Sequence, residues 1–159
     1  MYVEYEFYTS LYGADAIKEA EFNRLSWEAC KKVDYHTTGV DGLKKLKHFF
    51  PVDEEDAEAV KRCVCKLIDT IQKMQIEENA SGYVTREDGT VQGKIVSSVS
   101  AGNESTSYSV GKNAINIAAS DSATREKLYM DIITEYLSGV TDSNGVNLLY
   151  MGVYPRRVI

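Results

Sequence analysis

The strongest constraint in this sequence is one long run of helical spacing. From Ala57, apolar residues recur at Val60, Val64, Leu67, Ile71 and Met74, in steps of three or four. Pro51 interrupts the chain just before it, and VDEED follows, with Asp53 placed to cap and carboxylates in the first turn facing the helix dipole. The spacing predicts a helix over about 54–79, the spine of a domain, with Glu58, Lys61, Lys66, Gln72 and Lys73 on its exposed face. A helix of this kind is held mainly by what packs on its apolar face, so the rest of the chain must supply that cover.

Two more segments have helical spacing. Ile17, Phe22, Leu25, Ala29 and Val33 share one broad face and predict a helix over about 17–35. DYHTTGVDG then breaks the pattern, with Gly39 and Gly42 as punctuation, and LKKLKHFF reads as one or two helical turns. Ser122 is placed to cap a last helix over about 122–138, with Leu128, Ile132, Ile133, Tyr136 and Leu137 as its apolar face and Gly139 to end it. The opening YVEYEFYTSLYG is aromatic-rich and ends at Gly13.

The middle of the chain changes character, becoming rich in Gly, Ser, Thr and Val. DGT reads as a turn. KIVSSVS and STSYSV alternate as strands do, with AGNE between them, which predicts a β-hairpin over about 92–111. Such a hairpin is not stable alone and must pack on the helices or pair with another chain. The same question attaches to NLLYMGVYPRRVI, residues 147–159, which is oily but too interrupted by Gly and Pro for a helix. It either folds back on its own core, as a short edge strand across the helices, or lies on another subunit. The expected architecture is mainly α: one domain, 1–159, a compact bundle of three to four helices with an inserted antiparallel β-hairpin and an extended C-terminal tail.

Composition narrows the function classes. Eighteen basic and 24 acidic residues leave a net charge of −6, which argues against broad nonspecific DNA binding. No apolar run approaches the length of a membrane span, and MYVEYEFYTS lacks the basic start of a secretory signal. The three cysteines, Cys30, Cys63 and Cys65, suggest reduced thiols in a cytoplasmic setting. Cys63 and Cys65 are two apart on a helix, pointing in roughly opposite directions, so a shared disulfide or metal is disfavoured and a buried structural role favoured.

Catalytic signatures are missing from the sequence: no phosphate-cradling glycine loop, dinucleotide fingerprint, nucleophile elbow, paired-histidine zinc helix or CxxC. The histidines are His36 and His48. A Cys30–His36 nucleophilic pair has no orienting signature near it, and His36 reads as a loop or helix-end residue. DEEDAE, Asp53 to Glu58, suits a helix start better than a cation site, whose oxygens must converge. KKLKH, Lys44 to His48, reads as a solvated face in preference to a phosphate site. Ser97, Ser98, Ser100, Ser107 and Ser109 look like the polar side of the hairpin, with no base beside them.

Several stretches, in order, resemble the head–tail connector (head-completion, portal adaptor) proteins of tailed phages and prophages of Gram-positive bacteria. YEFYTSLYG followed by Ile17 and Phe22 is similar to that family's aromatic opening. Ala29 with Val33 to Thr37 is similar to the end of its first helix. VKRCVCKLID, Val60 to Asp69, resembles its central helix, with Cys65 and Asp69 at matching places. IVSSVSAGNESTSYSV resembles its hairpin, and NLLYMGV its terminal stretch, after a helix ending in Glu135, Tyr136 and Leu137. The chain departs from the family at Ala14 and Lys18, where a glycine and a helix-opening proline are usual. It departs again at Ser98, where an acidic residue is expected after Ser97, at Met151, where an arginine is usual, and in the added PRRVI.

The resemblance implies a structural virion protein and not an enzyme, with no cofactor and no metal. Such proteins form a homo-oligomeric ring on the portal, extend the DNA channel, and meet the next connector or tail protein. Packaged DNA passes without specific binding, and no membrane is involved. The implied location is the head–tail joint of the virion, assembled in the bacterial cytoplasm. The expected assembly interface is the hairpin and tail, at Tyr108, Val110, Leu148, Leu149, Tyr150, Met151, Val153 and Tyr154. Two alternatives stay open: a tail-completion or stopper protein of the same phage, or a small cytoplasmic enzyme or regulator, which a deep pocket joining His36 or His48 to Cys30 would favour.

Overall fold

The computed structural model describes residues 1–80, 83–85, 91–93, 98–101, 104–107, 115, 118 and 121–155. Five helices are described: α1 (Tyr5–Tyr12), α2 (Glu19–Thr37), α3 (Lys45–His48), α4 (Glu54–Ala80) and α5 (Ser122–Leu137). Four short strands lie between α4 and α5: β1 (Tyr83–Thr85), β2 (Val91–Gly93), β3 (Ser98–Ala101) and β4 (Glu104–Ser107). The chain is mainly helical. It divides into two compact units, residues 1–71 with 128–159, and residues 72–127.

In the first unit α4 is the spine. Asp53 Oδ1 accepts the backbone N–H groups of Glu55 and Asp56 at 3.0 and 3.1 Å, which caps the helix. The sequence spacing predicts one buried face, but the burial is wider. Cys63, Val64, Cys65 and every residue from Leu67 to Ile71 are buried, so this part of α4 is enclosed all round. That explains why both Cys63 and Cys65 are buried although they point apart. Helices α1, α2 and α3, the second part of α5 and the C-terminal stretch supply buried partners, among them Tyr8, Phe22, Leu25, Val33, Leu46, Ile133, Leu137 and Leu148.

The aromatic opening, left without a secondary structure by the sequence reading, is helix α1. Tyr5, Tyr8 and Tyr12 fall on one face at helical spacing. Tyr8 is fully buried, stacked on Tyr12 with ring centroids 4.9 Å apart and tilted against Phe22 at 5.5 Å, while Tyr5 packs on Phe22 at 5.3 Å. The Tyr5 hydroxyl also donates to the Ile17 carbonyl at 2.8 Å. Gly13, at φ 94°, closes α1, its N–H reaching Thr9 O at 2.8 Å.

α2 buries Phe22, Leu25, Ser26, Ala29, Cys30, Val33 and Thr37 along one stripe. Thr37 and Thr38 hydroxyls donate back to Val33 O and Asp34 O at 2.9 and 2.6 Å, competing with helix continuation at its end. α5 buries Tyr129, Ile132, Ile133 and Leu137, and Gly139, at φ 87°, follows its end.

The second unit holds the end of α4, the strands and the start of α5. β1 pairs with β2, and β3 with β4, both antiparallel, with Tyr83 opposite Gly93 and Ser98 opposite Ser107. The cap of α5 differs from the expected Ser122. Asp121 accepts the Thr124 N–H at 2.8 Å and the Thr124 hydroxyl, so the cap lies one residue earlier, where a carboxylate reaches the third N–H of the helix. Arg125 binds Glu78 at 2.5 Å and donates to Ala118 O at 3.0 Å.

Candidate assembly surface

The C-terminal stretch is held on its own unit by a chain of contacts that starts in the loop after α5. Asp142 Oδ1 accepts the N–H groups of Asn144 and Val146 at 2.9 and 3.0 Å, and Gly145, at φ 77°, makes the turn. A bridge between Thr141 and Asn147 closes this loop, and Leu148 N–H donates to Val140 O at 2.9 Å. Thr141 is tied in turn to the start of α4, its N–H and hydroxyl donating to Asp56 Oδ2 at 2.9 and 2.8 Å. The acidic run at the α4 start is therefore engaged in capping and cross-bracing.

Lys45 then secures the stretch. Its side chain is buried, and Nζ donates to the backbone oxygens of Asn147 and Tyr150 at 3.2 and 2.5 Å. Burial lowers its pKa, while Asp142 and Asp41 work in the opposite direction. Further along, Val40 N–H donates to Met151 O at 3.0 Å and Tyr154 N–H to Asp41 Oδ2 at 3.0 Å. The Tyr154 ring stacks on Phe49 with centroids 5.1 Å apart, and its hydroxyl donates to Asp142 Oδ2 at 2.6 Å. Burial, and then that hydrogen bond, raise the Tyr154 pKa.

Of the residues expected at an interface, Tyr108 and Val110 lie outside the described residues. The other six follow one another along the C-terminal stretch and divide between core and surface. Leu148 is 0% exposed in its own unit, which makes it a core residue with no surface to offer a partner. Leu149 and Tyr154 are half-buried, whereas Tyr150, Met151 and Val153 are exposed, Val153 by 67%.

The sequence reading missed the surface beside them. On α2, Trp27, Lys31 and Tyr35 are spaced four apart on the side away from the core, and Trp27 and Tyr35 are 62% and 73% exposed. Val40, exposed by 75%, is bonded to Met151 through its backbone. Two open clefts of about 550 and 500 Å³ run along this edge of α2, both bounded by Lys31 and Asp34. The first is lined by the buried side chains of Cys30 and Leu46 and by the stacked rings of Tyr2 and Phe50, 5.7 Å apart. The second lies between Tyr35, Gly39, Lys44 and Met151, so the C-terminal stretch forms one of its walls. The signal available in the sequence was the pair of large aromatics at helical spacing on a polar face, a place where core packing does not call for them.

The same clefts bear on nucleophilic chemistry. Cys30 lines the first and His36 the second, and neither cleft holds both. Burial pushes the Cys30 thiol up, away from the thiolate a nucleophile needs, and pushes Cys63 and Cys65 up to about 12. Among the described residues no group of three His, Cys, Asp or Glu side chains is placed to hold a metal ion, and no helix is long and apolar enough to cross a membrane. No family model, no curated protein and no solved structure matches the chain.

Proposed function

We propose that the chain is a structural subunit of a phage or prophage head–tail connector, forming a ring under the portal and extending the DNA channel toward the tail. The resemblance of the ordered sequence landmarks is the basis of this reading. The observation that carries it further is the group of exposed apolar side chains Tyr35, Val40 and Met151: Met151 shares a cleft with Tyr35, and its backbone oxygen accepts the Val40 N–H, so the C-terminal stretch lies beside α2. Large exposed apolar side chains gathered in this way mark contact surfaces. A surface of this kind meeting a different surface on the next copy makes a head-to-tail contact, which closes into a ring when the rotation per subunit divides the circle.

The intramolecular contacts of the C-terminal stretch set its part in assembly. It acts as a fixed ridge carrying Met151 and Val153, and Leu148 anchors it.

Electron microscopy of particles from a prophage lacking the gene tests the reading. Full or leaking heads beside separate tails are the expected outcome. Heads with no tails anywhere would move the protein to tail assembly, and normal virions would end the structural reading. Met151→Asp with Val153→Asp, both exposed, should leave a folded chain that fails to restore joined particles.

A further inference from the structure

The first cleft has a chemistry of its own. Lys31, Lys47 and Lys61 line it, and Lys31 and Lys44 line its neighbour. Among the described residues Asp34 is the one carboxylate lining either cleft, and its Oδ1 already accepts the Tyr2 hydroxyl at 2.6 Å. None of the four lysines is in an ion pair with a described residue. Lys31 Nζ lies over the Trp27 ring at 5.2 Å and Lys61 Nζ over the Phe7 ring at 5.6 Å. In a chain of net charge −6 this is a segregated positive rim. Beneath the rim the floor is apolar: Cys30 and Leu46 are buried, and Tyr2 and Phe50 wall it.

We propose that this cleft binds an acidic peptide segment of another protein, with one aromatic or large aliphatic side chain seated between Trp27 and the Tyr2–Phe50 pair. The lysine rim supplies charge complementarity to flanking carboxylates, steering the segment and setting its register. The apolar floor supplies the anchor pocket, the usual centre of binding energy in such contacts. Nucleic acid fits less well. Tyr2 and Phe50 spend a ring face on each other and Trp27 has Lys31 over its ring, which leaves little platform for stacked bases. The net negative charge also opposes a polyanion running beyond the rim. The inference stands on the cleft alone and holds whether or not the head–tail reading does.

Trp27 is the only tryptophan in the chain, so its emission reports on the cleft directly. The probe is a short synthetic peptide of Asp and Glu around a central Phe, titrated into the full-length chain. The anisotropy of the same peptide carrying fluorescein gives a second readout that does not depend on Trp27. A saturable change is expected in both, weakened by added salt. Lys31→Glu with Lys47→Glu should weaken binding by about tenfold or more, since these are exposed charges at the rim of the contact. Lys73→Glu, whose side chain lines neither cleft, should leave it unchanged, and replacing the central Phe by Ala should weaken it.

The proposal is overturned by the absence of saturable binding, by equal affinity in the charge-reversed variant, or by tighter binding of single-stranded oligothymidylate than of the peptide. Circular dichroism of the charge-reversed variant, matched to the parent chain, makes a loss of binding attributable to the rim.

Discussion

Lys45 Nζ lies 2.5 Å from the backbone oxygen of Tyr150, 105 residues later in the sequence. The same nitrogen reaches Asn147 O at 3.2 Å, so one buried ammonium holds two carbonyls of the C-terminal stretch. Hydrogen bonds to a charged donor contribute more than neutral ones, and their loss leaves the carbonyls unpaired. Replacing Lys45 by Met keeps most of the packed stem and removes the donor. We expect a loss of about 2 kcal/mol in urea unfolding, with faster hydrogen exchange at Leu148 and Leu149. Unchanged exchange there would mean that the other contacts hold the stretch without Lys45.

Gly39 is required by a close approach. A Cβ at this position would sit 2.8 Å from the backbone oxygen of Gly152 and 3.0 Å from Asp41 Oδ1. Backbone cannot swing aside as a side-chain tip can, so Gly39→Ala must push the C-terminal stretch off the loop. The expected cost is about 1–3 kcal/mol, as for other overpacked sites. A shift of the Val40 and Tyr154 amide resonances should accompany it, since both N–H groups bond across this contact. An unperturbed spectrum would contradict the close approach.

The cap of α5 distinguishes neighbouring residues. Asp121→Ala should lower the melting temperature, whereas Ser122→Ala should leave it nearly unchanged, because Asp121 is the residue that accepts from Thr124. The hydrogen bonds from Thr124 hold the Asp121 carboxyl below its ordinary value of 3.8. The cap's contribution is therefore present above that value and is lost as pH falls through the lower, folded-state value. Acid titration of the Asp121→Ala chain should lack this component; a profile matching the parent would remove Asp121 from the account.

At high pH the buried thiols act in the opposite sense. Cys63 and Cys65 titrate at about 12 in the fold, chiefly through burial, against 9.0 outside it. The unfolded chain loses these protons first, so their contribution is intact below pH 9.0 and declines as pH climbs toward about 12. The slope is at most about 1.4 kcal/mol per pH unit for each thiol. Tyr8 and Tyr12, raised from 10.0 to about 12 mainly by burial, add to the decline. Lys45 opposes it, because a lowered folded value makes stability rise with pH up to 10.5. Tyr2, Cys30 and Tyr154 are raised as well, so the groups that lose stability outnumber Lys45 and predict a net fall in urea midpoint above about pH 9. Cys63→Ala should flatten that fall, and an unaltered slope would count against the thiol.

Periodicity made the helical spine readable. The apolar steps from Ala57 to Met74 and the Asp53 cap depend only on residues close in sequence, and α4 begins at Glu54 with Asp53 capping it. The same local logic marks α2 and α5. It also contained α1, since Tyr5, Tyr8 and Tyr12 have helical spacing, although Phe7 interleaves with them and blurs the period.

Tertiary structure alone decided the rest, because it depends on pairs distant in the chain. KKLKH looks like a uniform basic face, yet the fold buries Lys45 against Asn147 and Tyr150 and turns Lys44 and Lys47 to the clefts. NLLYMGV looks uniformly oily, yet Leu148 is core and Val153 is exposed. No local period separates these cases. The free energy of a buried ammonium or leucine depends on which carbonyls and side chains enclose it, and those come from the far end of the chain.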